Sequence, residues 1–464
     1  YQKEYQHHII ESIITVDMAH DFIIMMTQLI KRLAVDKLHI VGDIFDRGSR
    51  PDKIIELLIK HHNVDIQWGN HDILWMGAAC GNEACITRVI RNCLVYHNEE
   101  ILENIYAISL RSLERYAKRR YPKLKRLQAM MQCISIMVLK TEAALILKHP
   151  EYQMNEQLKL HLVKNNQIQL GTKNYILEDI FEEDCRYELN EYENTIIQKL
   201  KKEFMSSEKL QQHVSFLYQK GSMYLCSNNT LLFHGCVPLN EQGYLKEIKI
   251  NGTIYKGKSF FDYCDQQARN AYFHEDSEAI DFMFYLWSSI DSPLSGRQLK
   301  TFERFFIKDQ SMWLEKRNPY YQFYNREECC LSILEEFHMN IKLSHIINGH
   351  TPVKCHETPL RANGKVIIID GGFCKAYQKE TGIAGYTLIS NSHGLRLKSH
   401  TPFKGMDRVL NINSDIHSQS HDIETYIHRI LVKDSDIGID LIQRINQLKL
   451  LLYAYKMGII KCVQ

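Results

Sequence analysis

The chain is short of everything that would mark it for a membrane, an oxidising compartment or a polyanion. No apolar run reaches the roughly 18–20 residues of a membrane span, and no signal peptide is read at its start. Thirteen cysteines are scattered without a CxxC pair. That usage excludes a disulfide frame or a zinc ribbon and reads as reduced thiols in a cytoplasmic setting. Net charge is +2, so no global field recruits nucleic acid or an anionic membrane. Internal repeats and low-complexity tracts are missing too. What remains is an ordinary globular composition, 45% hydrophobic and 24% charged, in 464 residues. That length allows about three domains with large cores.

Against this plain background one stretch stands out, residues 39–72. It carries two polar clusters, Gly42-Asp43-Ile44-Phe45-Asp46-Arg47-Gly48 and Gly69-Asn70-His71-Asp72. Each follows a run that reads as a buried strand, 38–41 and 64–68. Between them 51–62 reads as a helix, with Pro51 near its first turn and Ile54, Ile55, Leu57 and Leu58 on its apolar side. Strand, helix, strand is a βαβ unit, so both clusters belong at the carboxyl ends of neighbouring parallel strands. Open α/β sheets place their ligands at that edge. Asp43, Asp46, Asn70, His71 and Asp72 offer oxygen and imidazole donors, which suit manganese, iron, zinc or magnesium better than a thiolate site would. A carboxylate at one strand tip can bridge two ions, and an amide oxygen at the next can take one of them. Arg47 presents a fixed fork of donors to phosphate.

The rest of the chain divides into five stretches. Residues 1–36 read as helix. Residues 37–96 hold the two clusters. From 97 to 219 the strand signal fades into helices at 102–120, 124–147, 155–163 and 194–218, an insertion with a basic run at 111–126 and an acidic one at 182–193. Both runs read as solvated faces, with an inter-subunit or regulatory surface as the alternative. Strands return across 220–412, at 222–225, 230–233, 345–348, 365–370, 386–389 and 395–397. Residues 413–464 read as a helical tail closed by a helix at 440–456.

The two clusters resemble the second and third motifs of the calcineurin-like metallophosphoesterases. The wider text is similar to class III fructose-1,6-bisphosphatase, the bacterial type: LHIVGDIFDRGSRPD, VDIQWGNHDILWMGAACGN, LLFHGCVP, INGHTPVK and IDGGFCKAYQKETGIAGYTLI. The resemblance runs from about residue 22 to the end. It implies an α/β fold, a calcineurin-like metallophosphatase β-sandwich flanked by helices, with a large helical insertion and helical termini. It implies a two-metal site with manganese as the expected ion. Asp43 would bridge the metals, and Asn70, His234 and His350 would complete one of them. Arg47 and Asn70 would hold the phosphate. His71 would protonate the leaving alkoxide, with Asp46 orienting its ring. The implied substrate is a small sugar bisphosphate, fructose 1,6-bisphosphate, cut at its 1-phosphate in gluconeogenesis. Neither a nucleic acid nor a membrane is an expected partner, and a homo-oligomer is left open.

Arg297 and Arg304 are further phosphate contacts, or plain surface residues. Lys375, Tyr377 and Lys379 hold a sugar phosphate, or they belong to a turn before an antiparallel pair. One family motif, Asp-x-His-Gly, is absent. Asp17 and His20 have the wrong spacing and a helical setting. With Tyr1 as the first residue, the expectation is a chain lacking its N-terminal part; the alternative is genuine loss of half a site and a non-catalytic role in binding a sugar phosphate or a partner. A protein Ser/Thr phosphatase is the other alternative. Those enzymes usually carry Arg before GNH and Glu after it, where this chain has Trp68 and Asp72.

Overall fold

The computed structural model describes residues 2–177, 187–412 and 418–460. Two sheets built around parallel strands organise it. In the first, Leu38–Ile40, Val64–Gln67 and Gly221–Ser222 run parallel, with Leu38 opposite Val64 and Ile40 opposite Ile66. The second has five strands, in the order Leu360–Arg361, Val366–Ile368, His345–Asn348, Thr230–Phe233 and Tyr224–Ser227. Its middle three are parallel to one another. Alternate residues of these three serve opposite faces, as the twofold period of a strand requires. Leu231, Phe233, Ile346, Val366 and Ile368 enter the main core together with Ile66. Leu232, Ile347 and Ile367 point the other way and meet Leu395 and Leu397. Those two leucines belong to a third, antiparallel sheet of Tyr386–Asn391, Gly394–His400 and Ser418–Thr425. A sheet covered on both faces explains why its strands read as continuous Val, Leu and Ile runs.

The βαβ unit forms as expected, with one difference. The helix Pro51–Ile59 buries Ile55 and Leu58 but leaves Ile54 and Leu57 exposed. The insertion is largely helical, yet the expected 102–120 helix is broken. A π-helical turn at Ile101–Ile105 precedes a separate helix at Arg111–Arg120. Residues 155–163 make 3₁₀ turns, and 194–218 is two helices, Glu191–Ser206 and Glu208–Lys220, with Ser207 capping the second. A hairpin, Gln167–Leu170 with Lys173–Ile176, also stands in this region. The acidic run at 182–193 lies partly outside the described residues.

Two further expectations are corrected. The helix Arg126–Lys148 is long and apolar enough to cross a membrane by length and composition; its window is 72% buried inside the protein, as for a core helix. The tail is not wholly helical, because Ser418–Thr425 pairs with Gly394–His400 before the helix Asp436–Lys456 begins. At the other end, Gln2–Thr15 and Ala19–Ala34 are helices that bury no residue. Asp17 and His20 are both exposed there.

The loops after the first two strands are locked together. Gly42 and Asp43 both adopt left-handed backbone, at φ +86° and +60°. The buried Asp72 carboxylate accepts three backbone N–H groups, from Asp43 at 2.8 Å, Phe45 at 3.1 Å and Gly69 at 3.0 Å. In return the Asp43 carboxylate accepts the N–H of His71 at 3.0 Å. Gly69 sits so close that a Cβ on it would fall 2.2 Å from Asp43 Oδ1. Gly69→Ala is therefore expected to lose about 2 kcal/mol or more in urea denaturation. Gly48→Ala, with nothing within 4 Å of the new Cβ, should stay within about 0.5 kcal/mol of the parent. Equal losses would mean that the packing of the two loops is not what demands glycine. Asp72→Asn can accept through only one oxygen, so it should cost about 1–3 kcal/mol in the same assay. An unchanged denaturation midpoint would show that the carboxylate is not what holds the loops.

Candidate active site

Five parallel strands from the two sheets end at one place. Leu38–Ile40 leads to Asp43, Asp46 and Arg47, and Val64–Gln67 leads to Asn70 and His71. Thr230–Phe233 leads to His234, His345–Asn348 to His350, and Val366–Ile368 to Asp370. Residues 43 to 370 in sequence are thus gathered by sheet topology alone.

His234 anchors the centre. It is fully buried, and its Nδ1 lies 2.7 Å from the carbonyl oxygen of Val41. A carbonyl only accepts, so Nδ1 carries the hydrogen and Nε2 offers a lone pair. That Nε2 lies 3.2 Å from Asp43 Oδ2, 3.3 Å from Asn70 Oδ1 and 3.2 Å from His350 Nδ1. Asn70 Oδ1 is in turn 3.0 Å from His350 Nδ1. Three potential metal-ligating side chains, Asp43, His234 and His350, thus face one point together with an amide oxygen. Lone pairs this close repel unless a proton or a cation lies between them. Without a cation the protein resolves the conflict by moving protons. Burial opposes charge on His234, but adjacent Asp43 outweighs it and raises the ring to about 9. Burial likewise opposes the charge of Asp43, and His234 and His71 overcome it and hold the carboxyl well below its usual range. Burial, Arg297 and His234 push His350 the opposite way, well below an ordinary histidine. A divalent cation satisfies all four donors at once, so the residues fit a metal of the oxygen-and-imidazole class.

Beside this point lies a second group. His71 Nε2 is 3.1 Å from Asp46 Oδ1, and the Trp287 and His71 rings meet in a T-shaped contact at 5.1 Å between centroids. The Arg47 guanidinium lies over the rings of Tyr377 and Tyr96. Arg297 donates to Thr351 Oγ1 at 3.2 Å, next in sequence to His350. Arg47 Nε, Arg297 Nε and His350 Nε2 are buried without a hydrogen-bond partner in the protein. Unsatisfied buried donors grouped at one centre point to a ligand that accepts from them.

The structure thus brings together Asp43, Asp46, Arg47, Asn70, His71, His234 and His350, and sets Arg297 alongside. It does not show Lys375 or Lys379 at the centre; both side chains are exposed. Arg304 is ion-paired with Glu315 at 2.8 Å, which is its plain surface reading. Tyr377 reaches the site, but its hydroxyl binds Asp46. Asp72, read from the sequence as a possible metal donor, is instead turned to the backbone of both loops, three residues past Gly69 at the start of the helix Asn70–Ala79. Asp370 escaped the sequence reading as part of the site, although it stands at the end of a buried strand before two glycines. Burial, eased by the Gly372 N–H and reinforced by Asp43, raises its carboxyl to about 6.

Among the described residues a second acidic cluster holds His149, Glu278 and Asp281. Both nitrogens of His149 are taken, by Glu151 at 2.8 Å and Asp281 at 3.0 Å, and Lys148 also sits on Asp281. Both ring nitrogens already have carboxylate partners within the protein, so the cluster is satisfied internally.

Comparison with known proteins gives a consistent answer. The family model described as Firmicute fructose-1,6-bisphosphatase matches residues 1–457. The class 3 fructose-1,6-bisphosphatase of Clostridium botulinum (strain Langeland) is 46% identical over 493 aligned residues, covering 99% of this chain and 74% of the relative. That of Clostridium novyi (strain NT) is 45% identical over 491, with the same coverage. No solved structure matches. With the match spanning nearly its whole length, the chain belongs to the Firmicute fructose-1,6-bisphosphatase family.

Proposed function

We propose that this chain hydrolyses fructose 1,6-bisphosphate to fructose 6-phosphate and phosphate, as a phosphoric monoester hydrolase. The observation that carries this reading is the meeting of Asp43, Asn70, His234 and His350 beside the His71–Asp46 pair. Family membership supplies the substrate. The finer reading is a calcineurin-like metallophosphatase core. Its support is the pair of sheets whose parallel strands deliver both polar motifs to one edge. Manganese is the ion proposed, and Asp43, Asn70, His234 and His350 would hold it; a second metal is proposed from the family resemblance alone. A cytoplasmic setting is consistent with the described cysteines, all of which are free, and a gluconeogenic role is proposed from family membership alone.

The metal, when bound, supplies electrophilic pull on a phosphoryl oxygen and lowers the pKa of water. The chain's own residues do the rest. Arg47 and Asn70 hold equatorial phosphate oxygens where charge is redistributed. Arg297 adds a second guanidinium on the His350 side. Asp46 contacts His71 at Nε2, which leaves Nδ1 as the atom that gives a proton to the departing sugar oxygen. Trp287 packs on that ring and limits its motion. The protein phosphatase alternative is weakened at Trp68. Its position is where those enzymes usually carry Arg, but here the side chain is fully buried and donates to Leu217 O at 2.9 Å.

Asp43→Asn should lose phosphate release from fructose 1,6-bisphosphate and bound manganese together. His71→Ala should lose about 10²–10⁴ in turnover while metal content, read by elemental analysis, stays near the parent value. Loss of metal in the second variant would make His71 a ligand and not the acid. Phosphate release assayed side by side should favour the sugar bisphosphate over a phosphopeptide; the reverse preference would replace this reading by the protein phosphatase one.

A further inference from the structure

After the strand Val366–Ile368 the chain folds back over the two polar motifs. Glycines permit the turn. A Cβ on Gly371 would lie 2.6 Å from Gly385 Cα, and one on Gly372 only 2.4 Å from Tyr377 Cβ. This packing seats Tyr377 against residues some 331 positions earlier. Its hydroxyl donates to Asp46 Oδ2 at 2.6 Å, while the other oxygen of Asp46 faces His71 Nε2 at 3.1 Å. Its ring face lies under the Arg47 guanidinium, 4.3 Å from the centroid. One side chain therefore touches both the group that positions the proton donor and the group that faces phosphate.

We propose that Tyr377 is a positioning residue for both halves of the reaction: its hydroxyl fixes Asp46, and through it His71, while its ring fixes the plane of Arg47 toward the phosphate. This rests on the phosphatase reading above. The carboxylate torsion of an Asp side chain is broad and nearly twofold. Pinning Oδ2 is what keeps Oδ1 turned to His71. Arg47 has long, rotamer-rich freedom, and a stack on an aromatic face holds its fork in one plane. Burial, with Asp46 beside it, pushes the phenol of Tyr377 upward, so it stays protonated and donates. A hydroxyl whose hydrogen is spent on Asp46 cannot also donate to a substrate phosphate, and it keeps only lone pairs for a sugar hydroxyl.

Two variants separate the halves. Tyr377→Phe keeps the ring and removes the hydroxyl; Tyr377→Leu removes both. The manganese-loaded proteins are titrated with inorganic phosphate by calorimetry, which needs no turnover. They are then assayed on fructose 1,6-bisphosphate, whose alkoxide must be protonated, and on p-nitrophenyl phosphate, whose phenolate leaves without a proton. For Tyr377→Phe, phosphate affinity should stay within about twofold, and kcat on the bisphosphate should fall about 10–100-fold with KM within about threefold. The loss on p-nitrophenyl phosphate should be at least about fivefold smaller. Tyr377→Leu should in addition weaken phosphate binding about fivefold or more. An unchanged kcat in Tyr377→Phe, equal losses on the two substrates, or a rise in KM alone would overturn the role of the hydroxyl. Undiminished phosphate affinity in Tyr377→Leu would overturn the role of the ring. A parent chain that binds phosphate but hydrolyses neither substrate would sink the phosphatase reading and the hydroxyl's role with it, while calorimetry would still decide the ring's.

Discussion

The Asp72 carboxylate is the interaction on which the site depends. It is buried, and three backbone N–H groups converge on it from two loops. Two of those groups belong to the loop that carries Asp43, one to the loop that carries Asn70. Asp43 has left-handed backbone, a conformation that a non-glycine residue adopts only when its surroundings demand it. Asp72 supplies part of that demand, because its Oδ2 accepts the Asp43 N–H and the Gly69 N–H together. The Asp43 side chain is thereby aimed at His234 and not at solvent. Side chains from two loops that could hold a metal gain their rigidity from one carboxylate that does not face the same point.

That anion stands near another, Asp43, and the cost shows in Asp72. Burial and the neighbouring Asp43 push Asp72 up to about 6, even though three donors favour its charged form. Asp370 is pushed the same way by burial and by Asp43. A centre that holds Asp43, Asp72 and Asp370 in a largely buried space is short of positive charge. Arg47 and Arg297 flank it, yet each keeps a buried Nε without a protein partner. The charge pattern is that of a site built for a cation at its middle and an oxyanion at its rim. Each would relieve what the other leaves unsatisfied.

What could be read from the sequence was whatever a short window contains. The two motifs follow strands of Val, Ile and Leu, and the loops after such strands meet at a sheet edge by topology, so Asp43 and Asn70 were legible before any coordinates, while His234 and His350 entered only through the resemblance to a known family. That resemblance then assigned their roles. The contact of Tyr377 with Asp46 was not legible, because it depends on how a glycine turn at 371–372 packs, far along the chain. The strand Ser418–Thr425 was missed for a different reason. Its SQSHDIET sequence lacks an apolar alternation, and it forms because Gly394–His400 presents a free edge to it. The helix Pro51–Ile59 shows how far a period reaches. Apolar residues at 54, 55, 57 and 58 are spread over too wide an arc for one face, and the protein buries only Ile55 and Leu58.

The topology also explains why the tail of the chain belongs to the chemistry. The first sheet brings Asp43 and Asn70, and the second brings His234 and His350, but neither sheet holds Asp46 or Arg47 in place. Both residues lie beyond the strand, in a loop whose backbone is fixed at Asp43 and Phe45 by Asp72, and neither joins Ile44 and Phe45 in the core. A loop side chain at the mouth of a site must be steadied by something packed across it. Here that element is the segment after Val366–Ile368, which is itself held by the pairing of His345–Asn348 with Val366–Ile368. The strand that aims His350 into the centre therefore sits beside the strand that returns Tyr377 over Asp46 and Arg47. The cluster that could hold a metal and the proposed acid-positioning contact share one structural support, so disturbance of the second sheet reaches both.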